Sequence, residues 1–437
     1  MVDEASLKVK SIDAYTVFDS RGYPTIECIC ELDNGASGKS IVPSGASTGT
    51  FEALELRDGD PQLFGGKSVH LAINHIKTSI QTAVLKSGVN NQERLDQLLI
   101  DLDGTANKSR FGANAILAVS MAYAHAVAQS KNLPLFESLN PDPSAHIIPL
   151  PEIQIFGGGA HSAGRIDLQD FMVICTGAEN LMQCYQMTFD VYQAAGQLMK
   201  ERGQMAGLAD EGGYWPTFDS NTEVFVILEE SILRAGYIPG KDISISLDIA
   251  ATEFYTDGKY HLKLEDRYLS ATQFAQVLDD WINKYAVCSI EDPFSEVDHI
   301  AWSTFTEKWG DKLQLIGDDL FVTNQRLLQQ GIKQKLANSI LIKLNQIGTV
   351  TETLQCIHLA QEAGWRPVIS ARSGETEDTF ISHLAVATGA GQLKVGSFAR
   401  SERMVKWNEL LRIQRKISQS GQNPSFAVQT IRFPWDI

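Results

Sequence analysis

The sequence predicts an α/β chain: a β/α barrel of the TIM type, preceded by a smaller α+β domain that caps it. Three observations lead there. The chain has 437 residues, too many for one ordinary core but suited to a barrel of roughly 250–300 residues plus a second domain. The first part reads as strands followed by helices. Beyond it, short apolar runs end in charged or polar residues, and the later ones recur roughly every 25 residues, the length of one strand, one helix and two loops.

Residues 9–19 and 25–32 alternate apolar and polar side chains, as half-buried antiparallel strands do. Asp19-Ser20-Arg21-Gly22-Tyr23-Pro24 between them is turn chemistry. Residues 35–51, rich in Gly and Ser, predict a mobile loop. From residue 70 to about 131 the pattern is helical, most clearly over 113–128. The Pro-containing stretch 140–151 is the expected junction, giving a capping domain over 1–140 and a barrel domain over 141–437. In the barrel, runs 243–247, 286–290, 313–317, 339–342 and 366–369 are followed by Asp248, Glu291, Asp318, Lys343 and Ser370, and the next candidate strand carries Lys394.

The formal net charge is −16, which opposes nucleic acid or an anionic membrane as partner. An anionic substrate then needs local lysines or metal ions. No apolar run is long enough to span a bilayer, and residues 2–11 are mixed and charged rather than signal-like. The six cysteines show no zinc or redox spacing, and Cys28 and Cys30, two apart in a strand, share a face. Buried reduced thiols in a cytoplasmic protein are expected.

Strand ends in a closed barrel face one mouth. Asp248, Glu291 and Asp318 there would repel one another unless a cation joins them, and all-oxygen ligation suits Mg2+. The alternative is that each acid caps the following helix. Lys343 and Lys394 end two further strands. Divalent cations nearby would disfavour their ammonium forms and lower their pKa toward neutrality, as a general base requires. The alternative is ordinary salt bridges to the same acids. Ser370-Ala371-Arg372-Ser373-Gly374-Glu375-Thr376 is expected to close a strand and open a helix, making either an anion site or a plain capping box. Gly157-Gly158-Gly159-Ala160-His161 and Ala209-Asp210-Glu211-Gly212-Gly213 match neither a P-loop nor a dinucleotide fingerprint. A lone histidine such as His161 is also commonly structural.

Together these segments resemble the enolase family, in its bacterial form, over nearly the whole chain. Asp19-Ser20-Arg21-Gly22, Val42-Pro43-Ser44-Gly45-Ala46-Ser47-Thr48-Gly49, Glu52-Ala53-Leu54-Glu55-Leu56-Arg57-Asp58 and Lys108-Ser109-Arg110-Phe111-Gly112-Ala113-Asn114 are similar to its N-terminal domain. Ser289-Ile290-Glu291-Asp292-Pro293-Phe294, Gly317-Asp318-Asp319-Leu320, Lys343-Leu344-Asn345-Gln346-Ile347-Gly348 and Ser373-Gly374-Glu375-Thr376-Glu377-Asp378 are similar to its barrel. The resemblance implies a hydro-lyase that dehydrates 2-phosphoglycerate to phosphoenolpyruvate with two Mg2+ ions. Asp248, Glu291 and Asp318 match the ligands of one ion. Ser47 matches the residue that closes over the second, which substrate largely holds. Lys343 matches the base for the α-proton, Lys394 the lysine on the substrate carboxylate, and Glu211 the acid that helps the hydroxyl leave. His161, Ser370, Arg372 and Ser373 match substrate and phosphate contacts, and Asp170 stands at a catalytic-pocket acid. A homodimer or larger homo-oligomer is implied, with a glycolytic role if 2-phosphoglycerate is the substrate.

The chain departs from the family pattern in places. Ser-His-Arg-Ser reads Ser370-Ala371-Arg372-Ser373, and Gln-Glu-Phe reads Gln169-Asp170-Phe171. Asn-Gly-Gly-Ser-His reads Gly157-Gly158-Gly159-Ala160-His161, and an Asn in the first turn is Tyr23. The first three changes are expected to enlarge or depolarise the pocket. Three functions are compatible with that: enolase proper, the same elimination on a bulkier glycerate ester such as a carboxyphosphonate-bearing one, or a binding or structural protein that lost turnover. Both lysines and all three acids are present, which argues against the last.

Overall fold

The computed structural model describes residues 7–46 and 49–436, the side chain of Pro216 excepted. Strands β1 (Val9–Phe18), β2 (Pro24–Leu32) and β3 (Ser37–Ile41) form an antiparallel sheet in that order. The β1–β2 turn is closed by Asp19, whose Oδ1 accepts from the amides of Arg21 and Tyr23 at 2.9 Å each. Cys28 and Cys30 lie on the buried face of β2, and all six cysteines are buried free thiols.

β3 falls in the segment expected to be a loop. Its small residues serve close packing instead. The helix Ala113–Ser130 crosses the sheet here, and a Cβ on Gly38 would stand 2.1 Å from the Ala122 carbonyl oxygen. Ser40 Oγ donates to the Ala118 carbonyl at 2.7 Å, so even the hydroxyl is turned to helix–sheet contact. Helices also occupy residues 70–87, where a π-helical turn at Ile76–Ile80 joins two α-helical pieces, and Gln92–Asp103, capped by Asn91.

Eight strands close the barrel: β4 (Leu150–Gly157), β5 (Asp170–Ile174), β6 (Ser244–Asp248), β7 (Val287–Glu291), β8 (Gln314–Gly317), β9 (Ser339–Ile342), β10 (Arg366–Ser370) and β11 (Gln392–Ser397). They follow one another around the barrel, and β11 pairs with β4 to close it. The apolar runs from β6 onward thus lie where the sequence placed them. One strand breaks the uniform β/α repeat: β5 runs antiparallel to both neighbours. The β4–β5 connection holds only the single turn Gly159–Ser162, with no crossover helix to return the chain to the far end. The first residue of β5 is therefore at the mouth, and Asp170 sits between Gly157 and Asp248. A small hairpin, Met205–Leu208 with Tyr214–Pro216, joins the edge of β4 and carries its 209–213 turn to the same mouth.

No helix opens at Ser373, contrary to expectation; the next one is Phe380–Thr388. The segment docks on the capping domain instead. Ser44 and Gly374 exchange backbone hydrogen bonds of 2.8 and 2.9 Å, and Ser20 N donates to the Glu375 carbonyl at 2.8 Å. A Cβ on Gly374 would come within 2.5 Å of Asp19 Oδ2, so glycine permits the approach. Among the described residues no helix is long and apolar enough to cross a membrane.

Gly38→Val is expected to lower the free energy of unfolding by about 3 kcal/mol through overpacking. An unchanged urea midpoint would show that the helix can back away from the sheet.

Candidate active site

β6, β7 and β8 deliver Asp248, Glu291 and Asp318 side by side, all buried at the barrel mouth. Lys394, from β11, reaches across and donates to Asp248 Oδ2 at 2.8 Å and Glu291 Oε2 at 2.7 Å; Asp170 Oδ2 is 3.9 Å away. Lys343, just after β9, binds Asp318 Oδ2. Two amides add to this: Gln346 Nε2 donates to Asp318 Oδ1 at 2.8 Å, and Gln169 Nε2 to Asp248 Oδ2 at 3.2 Å. None of the three acids caps a helix. Asp298 caps His299–Trp309 and Asn324 caps Gln325–Gln334.

Burial, then the neighbouring Asp248 carboxylate, pushes Glu291 well above the usual carboxyl range. For Asp318, burial acts the same way, but the Lys343 contact outweighs it and holds the group below its ordinary value. Burial is the largest single influence and lowers both lysines, yet the surrounding carboxylates together outweigh it, Asp318 and Glu291 at Lys343 and Asp248, Glu291 and Asp170 at Lys394, so both are raised. The fall toward neutrality expected beside divalent cations is a property of the metal-loaded site; the protein's own charges act in the opposite direction. Direct carboxylate contact exceeds the desolvation penalty.

The donors fit Mg2+. They are hard carboxylate oxygens, and Glu291 Oε1 is buried without a hydrogen-bond partner. Asp292, Asp318 and Asp319 form a second acidic group, their oxygens all within 4.8 Å of one another. Asp292, at φ 41°, accepts from the amides of Asp318 and Asp319 at 2.9 Å each and so fixes the turn that presents Asp318.

The opposite wall holds His161, Asp170 and Glu211. His161 Nδ1 is 3.1 Å from Asp170 Oδ1, and its Nε2 is 3.9 Å from Glu211 Oε1. Burial lowers the imidazole, but Asp170 and then Glu211 outweigh it, and its pKa is raised to about 9. It is an imidazolium at neutral pH. Glu211 rides on the 209–213 turn, closed by Ala209 N to the Gly213 carbonyl at 2.8 Å, and its own carbonyl accepts from Ser397 N at 2.9 Å.

Ser370, Ala371, Arg372 and Ser373 line the same cleft with Ala46. Arg372 donates to Asn345 Oδ1 at 2.8 Å and to Glu52 at 3.1 and 3.2 Å. Ser373 Oγ is buried without a hydrogen-bond partner. Buried Arg403 holds this segment through the carbonyls of Arg372 and Ser373 at 2.6 and 2.5 Å. Ser47 lies outside the described residues.

One cleft thus gathers Lys343, Lys394, His161, Asp170, Glu211, Ser370, Arg372, Ser373 and Asp248. Glu291 and Asp318 touch it through the lysines. Sequence reasoning missed Glu52, Gln154, Gln169, Asp292, Gln346 and Arg403 as site residues. Glu52, Asp292 and Gln346 lie inside the family-like motifs and could have been found there.

The enolase N-terminal domain model matches residues 9–139, and the enolase C-terminal TIM barrel domain model matches residues 145–430. A curated relative, Enolase 1 of Desulfitobacterium hafniense (strain Y51), is 50% identical over 432 residues, 98% of each chain. The chain belongs to the enolase family. It is accordingly an enzyme, a hydro-lyase, of a Mg2+-dependent family.

The departures from the family pattern occupy different places in this chain. Ala371 lines the cleft. Asp170 Oδ1 accepts from Gln154 Nε2 on its side of the cleft. Tyr23 lies in a separate cleft, with the Arg21 guanidinium 5.4 Å over its ring.

The His161 imidazole resonance is expected to titrate near pH 9, and Asp170→Asn to lower that value. Because the folded value exceeds the ordinary 6.5, the stabilisation is complete below about pH 6.5 and is lost as pH rises through about 9. His161→Gln should flatten the fall in unfolding free energy over that window; an unchanged profile would assign the fall to other groups.

Proposed function

We propose that this chain dehydrates 2-phosphoglycerate to phosphoenolpyruvate by α-proton abstraction and β-hydroxide elimination. The observation that carries this is the two-walled cleft: Lys343 and Lys394 on the acidic wall, and Glu211 backed by His161 on the other.

Lys343 is the base for the α-proton. Arg372 and Lys394 favour its neutral form, while Asp318 opposes. A cation drawn onto Asp318 would offset its attraction for the ammonium and so move Lys343 toward a base. Lys394 holds the substrate carboxylate. Asp248, Glu291 and Asp318 would hold one Mg2+, whose chemistry is to stabilise the dianion that proton loss creates. A second ion, held largely by substrate, belongs with Ser47. Glu211 supplies the proton to the departing hydroxyl, and the His161 imidazolium, oriented by Asp170, faces it from behind. Arg372, with Ser370 and Ser373, receives the phosphate. A homodimer or larger, a glycolytic role, a domain division at 140/141 and a cytoplasmic location belong to the same proposal, the last supported by the free thiols.

Purified protein with 2-phosphoglycerate is expected to form phosphoenolpyruvate in Mg2+ and to stop in chelator; absence of product in Mg2+ would end this proposal. Lys343→Ala should cut exchange of the α-proton with solvent by about 10³-fold. Exchange that persists would mean another base. Where turnover of the parent chain is low, Ala371→His should raise it; no gain would mean that Ala371 does not limit the reaction.

A further inference from the structure

We propose that Gln154 is a positioning residue for the hydroxyl-expelling wall, holding Asp170 against His161 and the Glu211 turn in place with one amide. This rests on the roles proposed for Glu211 and His161.

Gln154 lies on β4 and is fully buried. Its Nε2 donates to Asp170 Oδ1, the same oxygen that His161 Nδ1 meets at 3.1 Å. Its Oε1 accepts from Gly213 N at 2.8 Å. The amide has one possible orientation, because only its NH2 can face a carboxylate and only its oxygen can face an N–H. Gly213 in turn closes the turn that carries Glu211. A single side chain therefore links the carboxylate that orients His161 to the turn that carries Glu211.

The glycines around it leave the room it needs. A Cβ on Gly213 would stand 2.4 Å from Gln154 Oε1. A Cβ on Gly157 would stand 3.3 Å from Gln154 Nε2 and 2.5 Å from Ala209 Cβ. Gly157 is where the family pattern has an asparagine, and Asp170 is one methylene shorter than the pattern's glutamate. Gln154, three residues earlier on the same strand, supplies an amide beside the first and a donor to the second. The three residues form one interlocked set. None of the hydrogen bonds of Gln154 reaches Lys343, which acts from β9 on the acidic wall.

The test compares Gln154→Leu and Gln154→Glu with the parent chain, following phosphoenolpyruvate formation and loss of deuterium from C2-deuterated 2-phosphoglycerate. Gln154→Leu is expected to slow product formation by about 10- to 100-fold, with KM and the α-exchange rate within about threefold of the parent. Gln154→Glu keeps the acceptor for Gly213 N but sets a carboxylate on Asp170, so it should slow product formation too. Turnover within twofold of the parent in both variants would overturn the proposal. So would an equal fall in exchange and turnover, which marks a general structural defect. Amide hydrogen exchange at Gly213 provides a readout that needs no activity: it should speed at least tenfold in Gln154→Leu and stay unchanged in Gln154→Glu. If the parent forms no phosphoenolpyruvate, the proposed function fails by itself, and an unaltered Gly213 rate in Gln154→Leu would still overturn the positioning role. Should Gln154→Leu not fold, Gln154→Glu decides: normal turnover overturns the role, and a selective loss of elimination supports it.

Discussion

Three carboxylates on adjacent strand ends of a closed barrel cannot stand together without positive charge among them. Much of the site follows from that constraint. Lys394 bridges Asp248 and Glu291, and Lys343 binds Asp318, so the lysines arrive at the mouth because the acids draw them there. The charges are buried, where removing one partner of such a pair costs about 3–5 kcal/mol. The same contacts place both ammoniums beside the oxygens that suit a hard dication. Charge balance, metal affinity and base strength are thus one problem, solved by five side chains on five strands.

The fold supplies the rest by two devices. The antiparallel β5 brings its first residue, Asp170, to the mouth beside Asp248. The capping domain joins the site through Glu52, which accepts from Arg372, Gln346 and the Gly49 amide at 3.1–3.2 Å. Gln346 also binds Asp318, which binds Lys343. A continuous polar path therefore runs from Gly49 through Glu52, Gln346 and Asp318 to the lysine proposed as base.

Most barrel strands were legible because each is an apolar run closed by a polar residue, and a strand end in a barrel has one place to point. The capping sheet was legible in β1 and β2 through alternation. β3 was not, because Gly38 and Ser40 look like loop residues until a helix is laid against them. The helix expected at Ser373 was also misplaced: local capping chemistry lost to docking against Ser20 and Ser44, contacts far away in sequence. The reversal of β5 depended on a connection without a crossover helix, which composition does not announce. At the site, acids and lysines were visible as charge at strand ends. The amides of Gln154, Gln169 and Gln346 were not, since a neutral side chain declares its role only through its partners. The protein's own charges raise both lysines, because direct carboxylate contact wins over desolvation; the expected fall requires the divalent cations.

The two walls of the cleft tolerate change differently, and the reason is electrostatic. On the acidic wall each charge is compensated by a specific partner, so any single replacement leaves a buried charge exposed to its neighbours. This chain has no departure there from the family pattern. The expelling wall is tied by a neutral amide and one His–Asp pair. There, a lost asparagine at Gly157 and a shortened acid at Asp170 can be met by a longer amide at Gln154, with no charge left over. Departures can accumulate where repair needs only reach and a hydrogen bond. Ala371 stands apart, because the hydrogen bonds of Gln154 lie on the His161 side and do not extend to it. Ala371 is therefore a cleft-lining departure that this repair does not reach, while the acidic wall keeps its charged residues.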